Sequence, residues 1–334
     1  MNSAQDLRYS FAPMSKTLLQ PQEFAAVAAT PLASVPTAGP TLRADGNNRL
    51  AGTLLKQKVS ALFRHFPPAL TGDEDSIHQL RVSGRRLRVA LPLLVAKPDG
   101  RRAERARSLL RQLTRAAGSS RDLDVLQESF DERLKALPSR SVEQKLLRHR
   151  LASARRRSRS QMVENLLDLE ISRLRKDLAA LMGRGGPPPS LVCERFATTS
   201  AREIQFLEEG FAKLGAQLDP EALHALRRRA RRVRYAVEVW GQIRNFKSPA
   251  TKPWKALQDL IGVIHDHHVL AEWLDKQAKA DRARGKSVLA DAATDEAAWA
   301  RATMHRLHAE LLAANPAAIV ARGRAALGQT AQSE

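Results

Sequence analysis

The chain has 334 residues, with 55 Lys and Arg against 35 Asp and Glu and a formal net charge of +20 at pH 7. That length suffices for two domains, and the charge favours anionic partners such as nucleic acid, anionic membrane or polyphosphate. A single cysteine, Cys193, excludes an intramolecular disulfide; with no apolar run long enough for a bilayer and no secretory n- and h-regions, a cytoplasmic protein without a membrane partner is expected.

Residues 1–45 are rich in Ala, Pro, Thr and Ser, and their few charges cancel. They are expected to form a disordered tail, which leaves the whole cationic excess on the rest of the chain. From Asn48 to Phe66 the apolar residues recur at helical spacing, and Pro67 and Pro68 are expected to end that helix. Asp and Ser in DEDSIH are cap candidates for the next helix, which carries IHQLRVSGRRLRVALPLL from Ile77 to Leu94. KPDG makes a turn, a basic helix runs to about Ala117, and Gly118 opens GSSRDLDVL. A long helical stretch follows from Ser141 to Met182; its ARRRSRS run, residues 154–160, reads as a solvated basic stretch. GRGGPPPS, residues 183–190, is a linker. The second half then reads as helices over 194–217, 221–243, 253–263 and 266–284, with a last one from Thr294. No alternating β-branched run suggests a strand. The fold expected is all-α: two internally duplicated antiparallel helical bundles, over 46–183 and 191–325, joined through 184–190.

The duplication is visible in the residues. The pattern H-x-L-R-x-x-x-R-R-[LV]-R runs from His78 to Arg88 and again from His224 to Arg234, 146 residues later. A second pair, G-x-x-[RH]-D-x-[DH]-V-L, starts at Gly118 and at Gly262. On a helical wheel His78, Arg81, Arg85 and Arg88 fall within a sector of about 80°, opposite Leu80, Leu87, Leu91 and Leu94. His224, Arg227, Arg231 and Arg234 do the same opposite Leu226, Val233, Val237 and Trp240, and Arg86 and Arg232 flank the two strips at one angle. Each helix thus has a core face and a cationic strip about 15 Å long. No acidic residue lies on either strip, so the compensating charge is expected from elsewhere, and an extended polyanion would supply it. Arginine suits phosphate because its fork donates paired, charge-assisted hydrogen bonds. His78 and His224 near helix N-termini suit phosphate contact too; the alternative is a structural bond to a neighbouring helix.

Asp122 and Asp266 are candidates to orient the arginines, to cap a helix or to hold a divalent ion, and a structural role is the reading favoured. His265, Asp266, His267 and His268 are consecutive, so they point in different directions, and no spaced partner completes a metal motif. No phosphate-binding loop, nucleophile elbow or reactive-cysteine context appears. No cofactor and no metal are expected.

The paired motifs make this chain resemble the CHAD family, the conserved-histidine α-helical domain, over about 46–325. The resemblance implies two similar bundles about a pseudo-twofold axis with basic residues lining a central groove. It implies binding of inorganic polyphosphate and association with polyphosphate granules. Carried over by position, the implied ligands are His78, Arg81, Arg85, Arg86 and Arg88 with His224, Arg227, Arg231, Arg232 and Arg234. Arg111 and Lys255, matched one helix later, join them. His265 stands where the resemblance would place a small amide residue. Some relatives add a triphosphate-tunnel hydrolase domain marked by E-x-E-x-K, which this sequence lacks. The expectation is a non-enzymatic polyphosphate-binding protein of no assigned oligomeric state. One alternative is a module that binds nucleic-acid backbone; the other is a phosphoanhydride hydrolase with a metal held by Asp122 or Asp266. Scarcity of aromatic side chains, 4% of the chain, argues against single-stranded nucleic acid, whose bases favour stacking platforms.

Overall fold

A computed structural model describes residues 47–183, 185–245 and 251–332; the expected disordered tail, 1–45, lies outside these. Among the described residues the only regular elements are ten α-helices. The first five are α1 (Asn47–Leu70), α2 (Glu74–Leu94), α3 (Arg101–Lys135), α4 (Val142–Leu167) and α5 (Ile171–Met182). They are followed by α6 (Pro189–Ala212), α7 (Pro220–Ile243), α8 (Thr251–Arg282), α9 (Ser287–Ala313) and α10 (Pro316–Gln332). None of them is long and apolar enough to cross a membrane.

The helix starts follow local chemistry. The Asp73 carboxylate accepts from the Ser76 N–H at 2.8 Å to open α2. Asp219 does the same for Ala222 at 3.0 Å, with Pro220 in the first turn of α7. Ser141 and Gln144 form a reciprocal capping box at α4.

Three expected breaks are not breaks. Pro67 and Pro68 sit inside the last turn of α1, which continues to Leu70 because buried Leu62 and Ala69 hold both sides of the prolines in the core. No helix ends at Gly118 or between residues 263 and 266, and α3 and α8 run 35 and 32 residues. One mid-helix glycine costs only about 1 kcal/mol, less than the burial of the leucines on either side returns. Conversely, the stretch from Ser141 to Met182 splits around Leu169, with Asp168 closing α4. The last helix begins at Ser287 rather than Thr294, and Asn315, at φ 49°, separates it from α10. In the linker, Gly186 packs on α1 so closely that an added Cβ would lie 2.5 Å from the Ala51 Cβ.

The apolar interior is shared between the two halves of the chain. One cluster joins Leu80, Leu91 and Leu110 to Leu226, Val237 and Trp254. A second joins Leu126, Phe130 and Leu147 to Leu270, Leu274 and Leu289. Long α3 and α8 reach both clusters, which is how they brace the motif helices packed on them. Ion pairs cross between the halves as well: Arg133 to Glu296 at 3.1 Å and Arg150 to Asp281 at 2.5 Å.

In the ARRRSRS run Arg156 and Arg157 are exposed, but Arg155 and Arg159 depart from the reading of a solvated stretch. Arg155 donates from Nε to Asp124 at 2.6 Å and also meets Glu74; Arg159 donates to the same two carboxylates at 3.1 and 3.3 Å. Asp124 is 2% exposed. These arginines clamp α4 to α3 and to the start of α2.

Candidate functional site

Helices α2 and α7 bury the leucine faces that the wheel assigns to the core and turn their cationic strips toward each other. Between them lies a cavity of about 660 Å³, walled also by α3, by α6 and by one turn of α8. His78, Arg81, Arg85, Arg88 and Arg111 line it from the first half, and His224, Arg227, Arg231 and Arg232 from the second. Three of the sequence-predicted residues do not line it. Arg86 and Arg234 meet Glu238 at 3.1 and 3.9 Å, and exposed Lys255 meets Asp259 at 3.2 Å.

The G-x-x-[RH]-D segments position the first arginine of each strip. Arg81 Nη1 donates to the Gly118 carbonyl at 2.7 Å and to Asp122 Oδ1 at 2.8 Å. At the matching place in the second copy, the Arg227 guanidinium lies against Gly262, where an added Cβ would sit 3.0 Å from its Nη2. The missing side chain permits this close approach at Gly262, whereas at Gly118 an added Cβ would lie 3.9 Å from Arg81 Nη1, in ordinary contact. Of the three roles open to Asp122, the geometry shows the first, an arginine partner. Among the described residues no three His, Cys, Asp or Glu side chains form a group able to hold a metal ion.

Arginines this close strain one another electrostatically. Burial, then Arg81 and Arg231, push Arg85 down to about 9; burial and Arg227 push Arg231 down to about 10. Both keep their charge at neutral pH, so their positive field is concentrated in the cavity rather than relieved by proton loss. Burial, then Arg88's neighbours Arg111 and Arg232, lower Arg88 in the same way. The imidazoles are held neutral: burial and then Arg228 lower His224, and burial and then Arg227 push His265 to about 4. Their rings lie 4.5 Å apart at a tilt of 48°.

Several lining residues escaped the motif reading. Arg107 and Arg115 flank Arg111 on α3, and Arg121, Arg202 and Arg228 add charge around the rim. The spacing of Arg107, Arg111 and Arg115, one per helical turn, was legible in the sequence. The carboxylates that reach the strips were not. Glu203, 2% exposed, sits on α6 and takes Arg229 at 2.8 Å and Arg232 at 3.1 Å. Glu238 lies on α7 itself, four residues beyond Arg234, yet also takes Arg86 from α2.

The fold and this cavity define an all-α protein with two arginine-bearing helices facing across a cationic groove. The chain belongs to the CHAD family: the CHAD domain model matches residues 53–275. It resembles two Mycobacterium tuberculosis proteins, Uncharacterized protein MT2285 and Uncharacterized protein Rv2226, each 27% identical over 228 residues. Those residues are 64% of this chain and span only 42% of either relative. Among solved structures, the CHAD domain from the plant Ricinus communis aligns with a TM-score of 0.59 at 20% identity, over 84% of this chain and 97% of that one. PptA from Streptomyces chartreusis aligns with a TM-score of 0.56 at 17% identity, over 78% and 98%.

Proposed function

We propose that this protein binds inorganic polyphosphate in the cavity between α2 and α7, without turning it over, as a cytoplasmic protein associated with polyphosphate granules. The family is one associated with polyphosphate binding. The observation that carries the reading is the state of Arg85 and Arg231. Both are largely buried, both are pushed down by burial and by other guanidiniums, and neither has a carboxylate partner among the described residues. Burying cations that way costs free energy that the fold does not return, and a flexible polyanion with one charge per phosphate returns it. Arginines replace the condensed counterions of the polymer, and counterion release drives association. Asp122, engaged by Arg81, acts as a positioning residue in this reading.

Competition measures it directly. Long-chain polyphosphate should displace a DNA duplex and single-stranded DNA at matched phosphate concentration, with an affinity that falls linearly in log–log form as salt rises. DNA holding its place would move the assignment to nucleic-acid backbone. Phosphate release from the polymer with Mg²⁺ or Mn²⁺, abolished by Asp122→Asn, would move it to hydrolysis. A fluorescent fusion should mark polyphosphate granules and become diffuse in cells unable to make the polymer.

A further inference from the structure

The two motif copies match position for position, and where they differ the two flanks of the site differ. Arg88 and Arg232 lie on one flank, where Arg88 feels the charge of Arg111 and both reach the cavity. Arg86 and Arg234 hold the matching positions on the other flank. There Glu238 takes both, and the Tyr235 ring lies 5.6 and 5.0 Å from their guanidinium carbons. In the first copy the positions of Tyr235 and Glu238 are Val89 and Pro92, which carry no charge and line the open side.

The following helices repeat the contrast. Arg107, Arg111 and Arg115 stand in a row along α3, about 12 Å long, that carries the cavity outward toward α6. None of the three has an acidic partner among the described residues. Their matches on α8 are Thr251, Lys255 and Asp259, and the last two pair with each other outside the cavity.

We propose that the polyanion engages this site from one side only, entering between α3 and α6 along the Arg107–Arg111–Arg115 row, with Glu238 acting as a built-in counter-anion that closes the opposite flank. The inference rests on the polyphosphate reading above and assigns its direction. A phosphate approaching Arg86 and Arg234 meets the Glu238 carboxylate, 3.1 Å from the first and 3.9 Å from the second, and is repelled until it displaces it. On the open flank Glu203 holds Arg232, but along the Arg107–Arg111–Arg115 row each phosphate meets a guanidinium with no acidic partner among the described residues and releases its counterions. Neutralising the α3 row should therefore weaken binding, and neutralising Glu238 should strengthen it.

The test is titration of the full chain with long-chain polyphosphate and with tripolyphosphate at several salt concentrations. Arg107→Gln with Arg115→Gln should weaken long-chain binding about tenfold or more and reduce the salt slope by about one to two, with a smaller loss for tripolyphosphate. Arg111→Gln should cost several times more affinity than the matched Lys255→Gln. Glu238→Gln should strengthen long-chain binding about threefold or more and steepen the slope. An indifferent Arg107 and Arg115 row, equal losses at Arg111 and Lys255, or weaker binding by Glu238→Gln at unchanged melting temperature would each overturn one-sided entry. If Glu238→Gln does not fold, the substitutions on α3 and α8 decide the matter alone. Absence of polyphosphate binding by the wild-type chain overturns the functional reading; wild-type binding with an indifferent row overturns the sidedness and leaves the function standing.

Discussion

Two arginine-rich regions of this molecule look alike in the sequence and behave oppositely in the fold. The ARRRSRS segment of α4 places Arg155 and Arg159 on Asp124 and Glu74, so their charge is matched inside the protein. The strips of α2 and α7 place Arg85 and Arg231 beside further arginines, and the cavity keeps their field. The difference is not the number of arginines but where carboxylates fall in three dimensions. A matched arginine is a clamp, while an unmatched buried one destabilises the empty protein and favours an anion. Stability and binding should therefore separate cleanly between the two regions.

The largest effect is expected at the clamp. Arg155→Met with Arg159→Met leaves Asp124 buried with only Arg121, 3.8 Å away, and removing one side of a buried pair costs about 3–5 kcal/mol. Denaturant unfolding should show that loss while polyphosphate affinity, in variant protein still folded, stays within about twofold. A comparable loss of affinity would mean that the two regions are not separable.

At the cavity the sign reverses. Arg85→Met removes a buried cation that the fold does not compensate, so the ligand-free protein should gain about 0.5–2 kcal/mol of stability. Affinity for long-chain polyphosphate should fall about tenfold or more, which is at least about 1.4 kcal/mol. Thermal melting with and without polymer reads both at once: a higher melting temperature in its absence, a smaller upward shift in its presence. A lower melting temperature without polymer would defeat the view that Arg85 is strained.

The smallest effect concerns protons. His265 is held at about 4 in the empty cavity, against an unfolded value near 6.5. The unfolded chain therefore binds more protons in that interval, and the stability due to the neutral imidazole is lost as pH falls from about 6.5 toward 4. His224 acts in the same direction. A bound polyanion raises both histidines, so complex formation takes up protons and affinity should increase as pH falls from about 8 to 6. His265→Gln should flatten the acid loss of melting temperature and part of the affinity trend. Unaltered slopes in that variant would remove His265 from the proton linkage.

Much of this was legible beforehand because it depends on local rules. Helix periodicity marked the core faces of α2 and α7, acidic caps marked their starts, and repetition of His and Arg at fixed spacing marked the strips. The misreadings share a cause. Helix ends were read at Gly118 and between residues 263 and 266, but Gly118 and Gly262 sit where a guanidinium from another helix approaches the backbone, a requirement no local pattern records. Arg86, Arg234 and Lys255 match the motif in type and spacing, and carboxylates divert all three.

By itself the sequence determined the helical class, the cationic faces and the pairing of two like motifs, because a 3.6-residue period translates directly into faces. Only the tertiary structure decided which arginines remain unmatched. Long-range attraction between side chains depends on distances across helices, and Asp124, Glu203 and Glu238 reach their partners from elements the periodicity treats as separate. The same packing leaves the Arg107–Arg111–Arg115 row without an acidic partner among the described residues and sets Glu238 between two matched positions of the motif, where α2 and α7 meet.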